Sequence, residues 1–121
     1  MASAEGISLF TTGLAIAPCD VARDLGERTA LKQAFPITLN KAALDSKVIA
    51  VRFEGETRRY IGTKKHTAQG ETWNGRAADG SPLWLGWSQS GVLGQIVMAR
   101  RMFLIVHHAG ESILAEVDRD A

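Results

Sequence analysis

From residue 47 onward, the chain alternates runs of β-forming residues with short turn signals. Gly55-Glu56 and Gly110-Glu111 each place a glycine first in a two-residue loop, as a type II′ turn requires, and Asp79-Gly80 is typical of a type I′ turn. Such short connections favour antiparallel neighbours. We therefore predict an antiparallel β-meander of five to six strands, forming a curled sheet or a small barrel. The strands are expected near residues 47–54, 57–66, 71–76, 82–88, 95–108 and 112–118.

The chain before this meander has a different pattern. Apolar residues between Asp20 and Phe35 recur at roughly helical spacing, Asp20 is a suitable N-cap, and Pro36 would end the segment. Gly26 lies in the middle, so one helix and two short helices are both compatible with the pattern. For a chain of 121 residues we expect one α+β domain. Its parts would be an irregular or extended segment (1–19), a helical segment (20–46) and the meander (47–118).

Composition places the chain among ordinary globular proteins, with 45% hydrophobic and 22% charged residues. Its single cysteine, Cys19, permits no intrachain disulfide and fits a reducing compartment. The segment 8–19 lacks the basic start of an export signal. The apolar stretch around Arg100 and Arg101 is too short, and too charged at its centre, to cross a bilayer. We therefore expect a cytoplasmic protein with no membrane partner.

No stretch of the sequence carries a specific catalytic, metal or cofactor motif. The adjacent His107 and His108 would point to opposite faces of a strand, so they cannot bind one metal ion together. Phosphate-binding glycine motifs and a nucleophile elbow are absent from the sequence. His107, diagonal to Glu116 in the predicted hairpin, gives the one acid/base candidate. We expect no metal and no cofactor, and a non-enzymatic protein is favoured over an enzyme.

Positive charge is concentrated in the first predicted hairpin and the strand after it. Residues 52–76 hold six basic and three acidic side chains, although the whole chain has a net charge of only +1. The predicted turn places Arg52 opposite Arg59, and two opposed arginines repel unless Glu54 or a bound anion compensates. With Lys64 and Lys65 farther along, these arginines would suit phosphate groups.

The three tryptophans, together with four glycines, lie within residues 70–88. An Asp79-Gly80 turn would pair Trp73 with Gly86 and Gly75 with Trp84, so that each indole covers a glycine on the neighbouring strand. Trp73 and Trp84 would then share one face, either packed beneath another layer or exposed as a platform that stacks bases.

Together these features predict a small non-enzymatic domain that binds nucleic acid or another anionic ligand through a basic hairpin face and a tryptophan platform. Arg76 is expected on the face opposite the tryptophans, with a side chain long enough to reach around the turn. The predicted site comprises Arg52, Arg59, Lys64, Lys65, Trp73, Arg76 and Trp84.

An alternative function belongs to another class. The apolar run within residues 95–108 and the tryptophans could form a homo-oligomer interface. The protein would then be a self-assembling structural or accessory subunit, such as a phage virion component or part of a larger complex.

Overall fold

The structure, a computed structural model, describes residues 7–25, 30–88 and 91–118. Ten strands, one α-helix and one 3-10 helix account for most of them. The helices are α1 (Pro18–Leu25) and the 3-10 helix (Lys41–Asp45). The strands are β1 (Ile7–Ser8), β2 (Phe10–Thr12), β3 (Leu31–Leu39), β4 (Val48–Phe53), β5 (Glu56–Thr67), β6 (Gly70–Arg76), β7 (Pro82–Ser88), β8 (Gly91–Met98), β9 (Arg101–His108) and β10 (Glu111–Val117).

All ten strands belong to one sheet, in the order β1-β4-β5-β6-β7-β8-β9-β10-β3-β2. The β1–β4 pair is parallel, and the other pairs are antiparallel. The sheet curls until its ends meet at Leu9, between β1 and β2. The Leu9 amide donates to the Ala50 carbonyl of β4 (2.7 Å), and its carbonyl accepts from the Asn40 amide after β3 (2.8 Å). The result is a nearly closed, barrel-like sheet.

The predicted fold class, an N-terminal helix or two short helices followed by five to six strands, is wrong. The main error lies in residues 31–39, which form β3 and not the end of a helix. Their apolar residues fit the spacing of a helix and that of a strand. In the strand that forms, Ile37 and Leu39 point into the core, while Ala34 faces α1. Residues 7–12, expected to be irregular or extended, add β1 and β2.

A second error concerns residues 95–108, which were predicted as one strand. Ala99 and Arg100 form a two-residue turn between β8 and β9, with φ angles of 49° and 68°. Neither residue type signals a turn, because both usually avoid positive φ. The part of the run in β9 is central in the sheet, where it lies between β8 and β10.

The hairpin turns lie one residue earlier than predicted. Glu54-Gly55 and Ala109-Gly110 have positive φ at both positions, as in a type I′ turn, so the glycine is second and not first. The β6–β7 connection is longer, because Arg76 pairs with Pro82 and residues 77–81 form the loop. These turns change which residues face one another across each hairpin.

The interior of the sheet forms the main core. The Tyr60 hydroxyl of β5 donates to the Val97 carbonyl of β8 (2.6 Å), so these two strands face each other across it. Burial raises the pKa of Tyr60 to about 12. Buried inward-facing residues include Leu9, Phe10, Ile37, Ile49, Val51, Phe53, Trp73, Leu83, Leu85, Ile96, Phe103, Ile105 and Leu114. A smaller cluster lies outside, where Val21 of α1 covers Ala34, Ile113 and Ala115.

The glycines beside the tryptophans make room for indoles that lie along their own strands. Trp73 is buried in the interior, where its indole N–H donates to the Ser46 carbonyl (2.8 Å). A Cβ added at Gly75, two residues along the same strand, would lie 2.5 Å from the Trp73 ring. Trp84 covers Gly86 in the same way on the outer face. The predicted cross-strand pairing of tryptophan with glycine is therefore wrong.

We expect Gly75→Ala to destabilise the fold by about 1–3 kcal/mol. The new methyl group would clash with the Trp73 ring and would lie 2.8 Å from the Ile61 carbonyl oxygen, and neither group is free to move. Urea unfolding followed by circular dichroism measures the loss. Gly86→Ala is the matched control, because the nearest atoms there belong to the exposed Trp84 ring, which can rotate away. Equal losses in the two variants would contradict this account.

Candidate functional site

The outer side of β4, β5 and β6 carries most of the predicted cations. Arg52 pairs with Thr57, Arg59 with Ala50, and Ile61 with Arg76, which places all three arginines on the side opposite the core. Lys65 lies six residues after Arg59 on β5, so its side chain points to the same outer side. Because Arg52 and Arg59 do not face each other directly, the predicted repulsion between them does not arise.

Trp84 lies on the same outer side, on β7. It pairs with Asn74, while Arg76 pairs with Pro82, so Arg76 and Trp84 are diagonal neighbours. The prediction that Arg76 lies opposite the tryptophans is therefore wrong for Trp84, because the five-residue loop shifts the register. Trp84 is 41% exposed and Ile61 is 68% exposed. The Arg76 guanidinium donates to the Gly80 carbonyl (2.8 Å), which anchors the side chain near the loop.

Trp73 and Lys64 lie elsewhere. Trp73 is fully buried in the core, so it does not form a platform with Trp84. Lys64 pairs with Trp73 on the inward-facing row of β5 and β6. Its ammonium group binds Asp45 and lies 3.4 Å from Glu71. The hydrogen bond to Asp45 is the main reason that the pKa of Lys64 is raised.

We use the name outer basic face for the five predicted site residues that the structure brings to one side, together with Ile61. The five are Arg52, Arg59, Lys65, Arg76 and Trp84. Within the described strands β4 to β7, no carboxylate side chain points to this side.

Nearby carboxylates are held by other cations. Asp79 lies 3.6 Å from Arg58, which is on the inward row of β5, and hydrogen bonds from Ser81 lower the pKa of Asp79. Glu54 binds Arg101. Arg52, Lys65 and Arg76 therefore form no ion pair with an acidic side chain of the described strands β4 to β7.

The predicted His107–Glu116 pair does not form, because the Ala109-Gly110 turn places His107 opposite Ser112. Glu116, which is only 4% exposed, instead accepts two hydrogen bonds from Arg101, both 2.9 Å. It also accepts one from Gln33 (2.8 Å). These contacts, above all those with Arg101, lower the pKa of Glu116.

Arg101 is held in place from several sides. Its guanidinium lies 5.1 Å from the centre of the Phe103 ring and 5.5 Å from that of Phe53. Hydrogen bonds to Glu116 and Glu54 raise its pKa. Sequence reasoning missed this group because Gln33 and Glu54 are distant in sequence from the β9–β10 hairpin that carries Arg101 and Glu116, and β3 was predicted as helix.

Within residues 7–25, 30–88 and 91–118, no group of three or more histidine, cysteine, aspartate or glutamate residues could hold a metal ion. No helix in this described part of the chain is long and apolar enough to span a membrane.

We expect Glu116→Gln to lower the free energy of unfolding at neutral pH by about 1.5–3 kcal/mol, the range for hydrogen bonds to charged groups. Because the folded pKa of Glu116 is lowered, the carboxylate stabilises the protein above its unfolded pKa, and this contribution is lost as pH falls through the folded pKa. Urea unfolding at a series of pH values from 7 to 3 should show a weaker acid dependence in Glu116→Gln. An unchanged dependence on pH would contradict this role for Glu116.

Comparison with known proteins finds no family model, no curated protein and no solved structure that matches the chain. What the protein binds must therefore be inferred from its own residues and their arrangement.

Proposed function

We propose that this protein is a binding domain for single-stranded nucleic acid, which the outer basic face holds along its length. The observation that carries the proposal is the partly exposed Trp84 indole beside Arg76, on a face where the described strands supply cations and no carboxylate. Proteins that bind single strands combine these two features, a positive surface for the backbone and an aromatic side chain for a base.

The spread of the cations favours an extended polymer over a small anion. Arg59 and Lys65 are six residues apart on β5, or about 20 Å at the usual rise of a strand. Arg52 and Arg76 lie on the strands to either side. A small anion needs donors that converge on one point, whereas a nucleic-acid strand presents a phosphate at every nucleotide.

Each group has a distinct role in this proposal. The arginines donate pairs of hydrogen bonds to phosphate oxygens, and Lys65 contributes a point charge. Trp84 stacks on a base, and the exposed Ile61 packs against a sugar or a base edge. Because every base has a flat face, binding should tolerate different sequences.

We expect a mixed-sequence single-stranded oligonucleotide to quench tryptophan fluorescence, with an affinity that falls as salt rises. For three phosphates neutralised by Arg52, Lys65 and Arg76, the logarithm of the binding constant should fall with the logarithm of salt concentration with a slope of about −2. Trp84→Ala should weaken binding by about 5- to 150-fold, which corresponds to the loss of 1–3 kcal/mol of stacking. Arg52→Gln and Lys65→Gln should each reduce the salt slope.

Two controls separate this face from the protein's overall charge. Arg23→Gln removes one positive charge from α1, which packs on the outer side of β3, and should leave the affinity nearly unchanged. Trp87→Phe alters the inward row of β7 and should preserve the effect of Trp84. The proposal fails if no binding occurs at low salt, or if Arg23→Gln costs as much as Arg52→Gln.

A second candidate function is self-assembly, in which the outer face of β7 and β8 contacts another copy of the chain. Leu93 pairs with Gly86 beside Trp84 and is 56% exposed, so the two side chains form a small apolar surface. The apolar run in β9 no longer favours this alternative, because Phe103 and Ile105 lie in the main core and Val106 packs against the smaller cluster that contains Val21. Sedimentation of the wild type and of Leu93→Glu tests the idea, since an oligomer built on this surface would dissociate in the variant.

A further inference from the structure

One end of the sheet contains a cavity of about 820 Å³, within the range of about 300–1,000 Å³ that small-molecule sites occupy. We call it the end cavity. Its apolar lining comes from β3, the 3-10 helix and β7: Ile37, Leu39, Leu44 and Trp87. Its polar lining includes Thr12, Lys41, His107 and Ser112.

The strand register places polar and apolar lining residues of the end cavity side by side on neighbouring strands. Thr12 and Ser112 both pair with Ile37, and Ser112 pairs with His107, so four adjacent strands contribute one inward-facing row. Leu39 and Leu44 pack with the main core, to which the half-buried Trp87 also belongs. The cavity therefore has an apolar inner part and a polar edge.

The polar edge of the end cavity carries side-chain hydrogen-bond donors that have no partner among the described residues. Lys41 is exposed on the 3-10 helix, and its ammonium group has no ion-pair partner among the described residues. The side chains of His107 and Ser112 likewise have no hydrogen-bond partner in the described part of the chain. Glu111 also lines the mouth, but strand alternation directs it to the outer side of β10.

We propose that the end cavity binds an aliphatic carboxylate, with its tail in the apolar part and its head at the polar edge. A carboxylate only accepts hydrogen bonds, which matches the donors of Ser112 and His107 and the positive charge of Lys41. Ile37, Leu39 and Trp87 contact the chain of methylene groups. This site is independent of the nucleic-acid proposal, because none of its lining residues belongs to the outer basic face.

The test uses the full chain with Trp84→Phe, so that a change in fluorescence on binding reports Trp87 while the buried Trp73 stays constant. Hexanoate, octanoate and decanoate are titrated at constant salt. Each added methylene group should tighten binding about fourfold, the value for burial of one CH₂. Decanol should bind more weakly than decanoate, and decyltrimethylammonium most weakly of the three.

Three variants place the ligand in the cavity. Ser112→Phe fills it and should weaken decanoate binding more than about tenfold. Lys41→Met should weaken decanoate binding about two- to fivefold, the effect of an exposed ion pair, while leaving decanol unchanged. Glu111→Gln, the matched control, removes a charge of opposite sign at the mouth and should preserve or slightly tighten decanoate binding.

If Ser112→Phe does not fold, Lys41→Glu takes its place, because Lys41 is exposed and makes no ion pair within the described residues. Reversing this charge should make decyltrimethylammonium bind better than decanoate. The proposal is overturned if the fatty acids do not change Trp87 emission. It is also overturned if Lys41→Glu leaves the order of affinities for decanoate, decanol and decyltrimethylammonium unchanged. In the chain that keeps Trp84, oligonucleotide binding by Lys41→Met should equal that of the wild type, which separates failure here from failure of the nucleic-acid proposal.

Discussion

The rest of the structure depends on the hydrogen bonds that Leu9 makes to both ends of the folded sheet. Leu9 is fully buried, and its amide and carbonyl bind residues of β4 and of the segment after β3. Without this bridge, no backbone hydrogen bond of Leu9 would join the β4 side of the sheet to the β3 side. Closure gives the sheet an inside and an outside, and each side chain's role then follows from alternation.

Alternation also separates the charges of the middle strands into two populations. Cations on the inward row, such as Arg58 and Lys64, meet carboxylates at the rim and form ion pairs. Cations on the outward row, such as Arg52 and Lys65, face positions where their own strands supply no carboxylate. A net charge of +1 therefore coexists with a locally basic surface, because the protein's acidic residues are not evenly distributed around the sheet.

The sequence was most informative where periodicity and turn chemistry agree. Most strands after residue 47 could be placed from their turns, but the turn type decided the register, and a shift of one residue moves side chains to the other face. This is why Trp73 and Trp84 were predicted together, although Trp73 lies in the core. Residues 31–39 were misassigned because their apolar spacing fits a helix and a strand equally well, and only pairing with β10 and β2 decides between them.

Trp73 and Trp84 each lie over the glycine two residues along their own strand, but one ring is in the core and the other is on the outer face. Trp73 over Gly75 fills the core, where the indole N–H is bonded and the ring is enclosed. Trp84 over Gly86 uses the same spacing on the outside, so the missing side chain allows a large ring to lie close to the sheet while part of it remains exposed. The exposed part of this ring is the surface on which a base would stack. The glycine at position 86 is thus part of the proposed binding surface, even though it offers no side chain to a ligand.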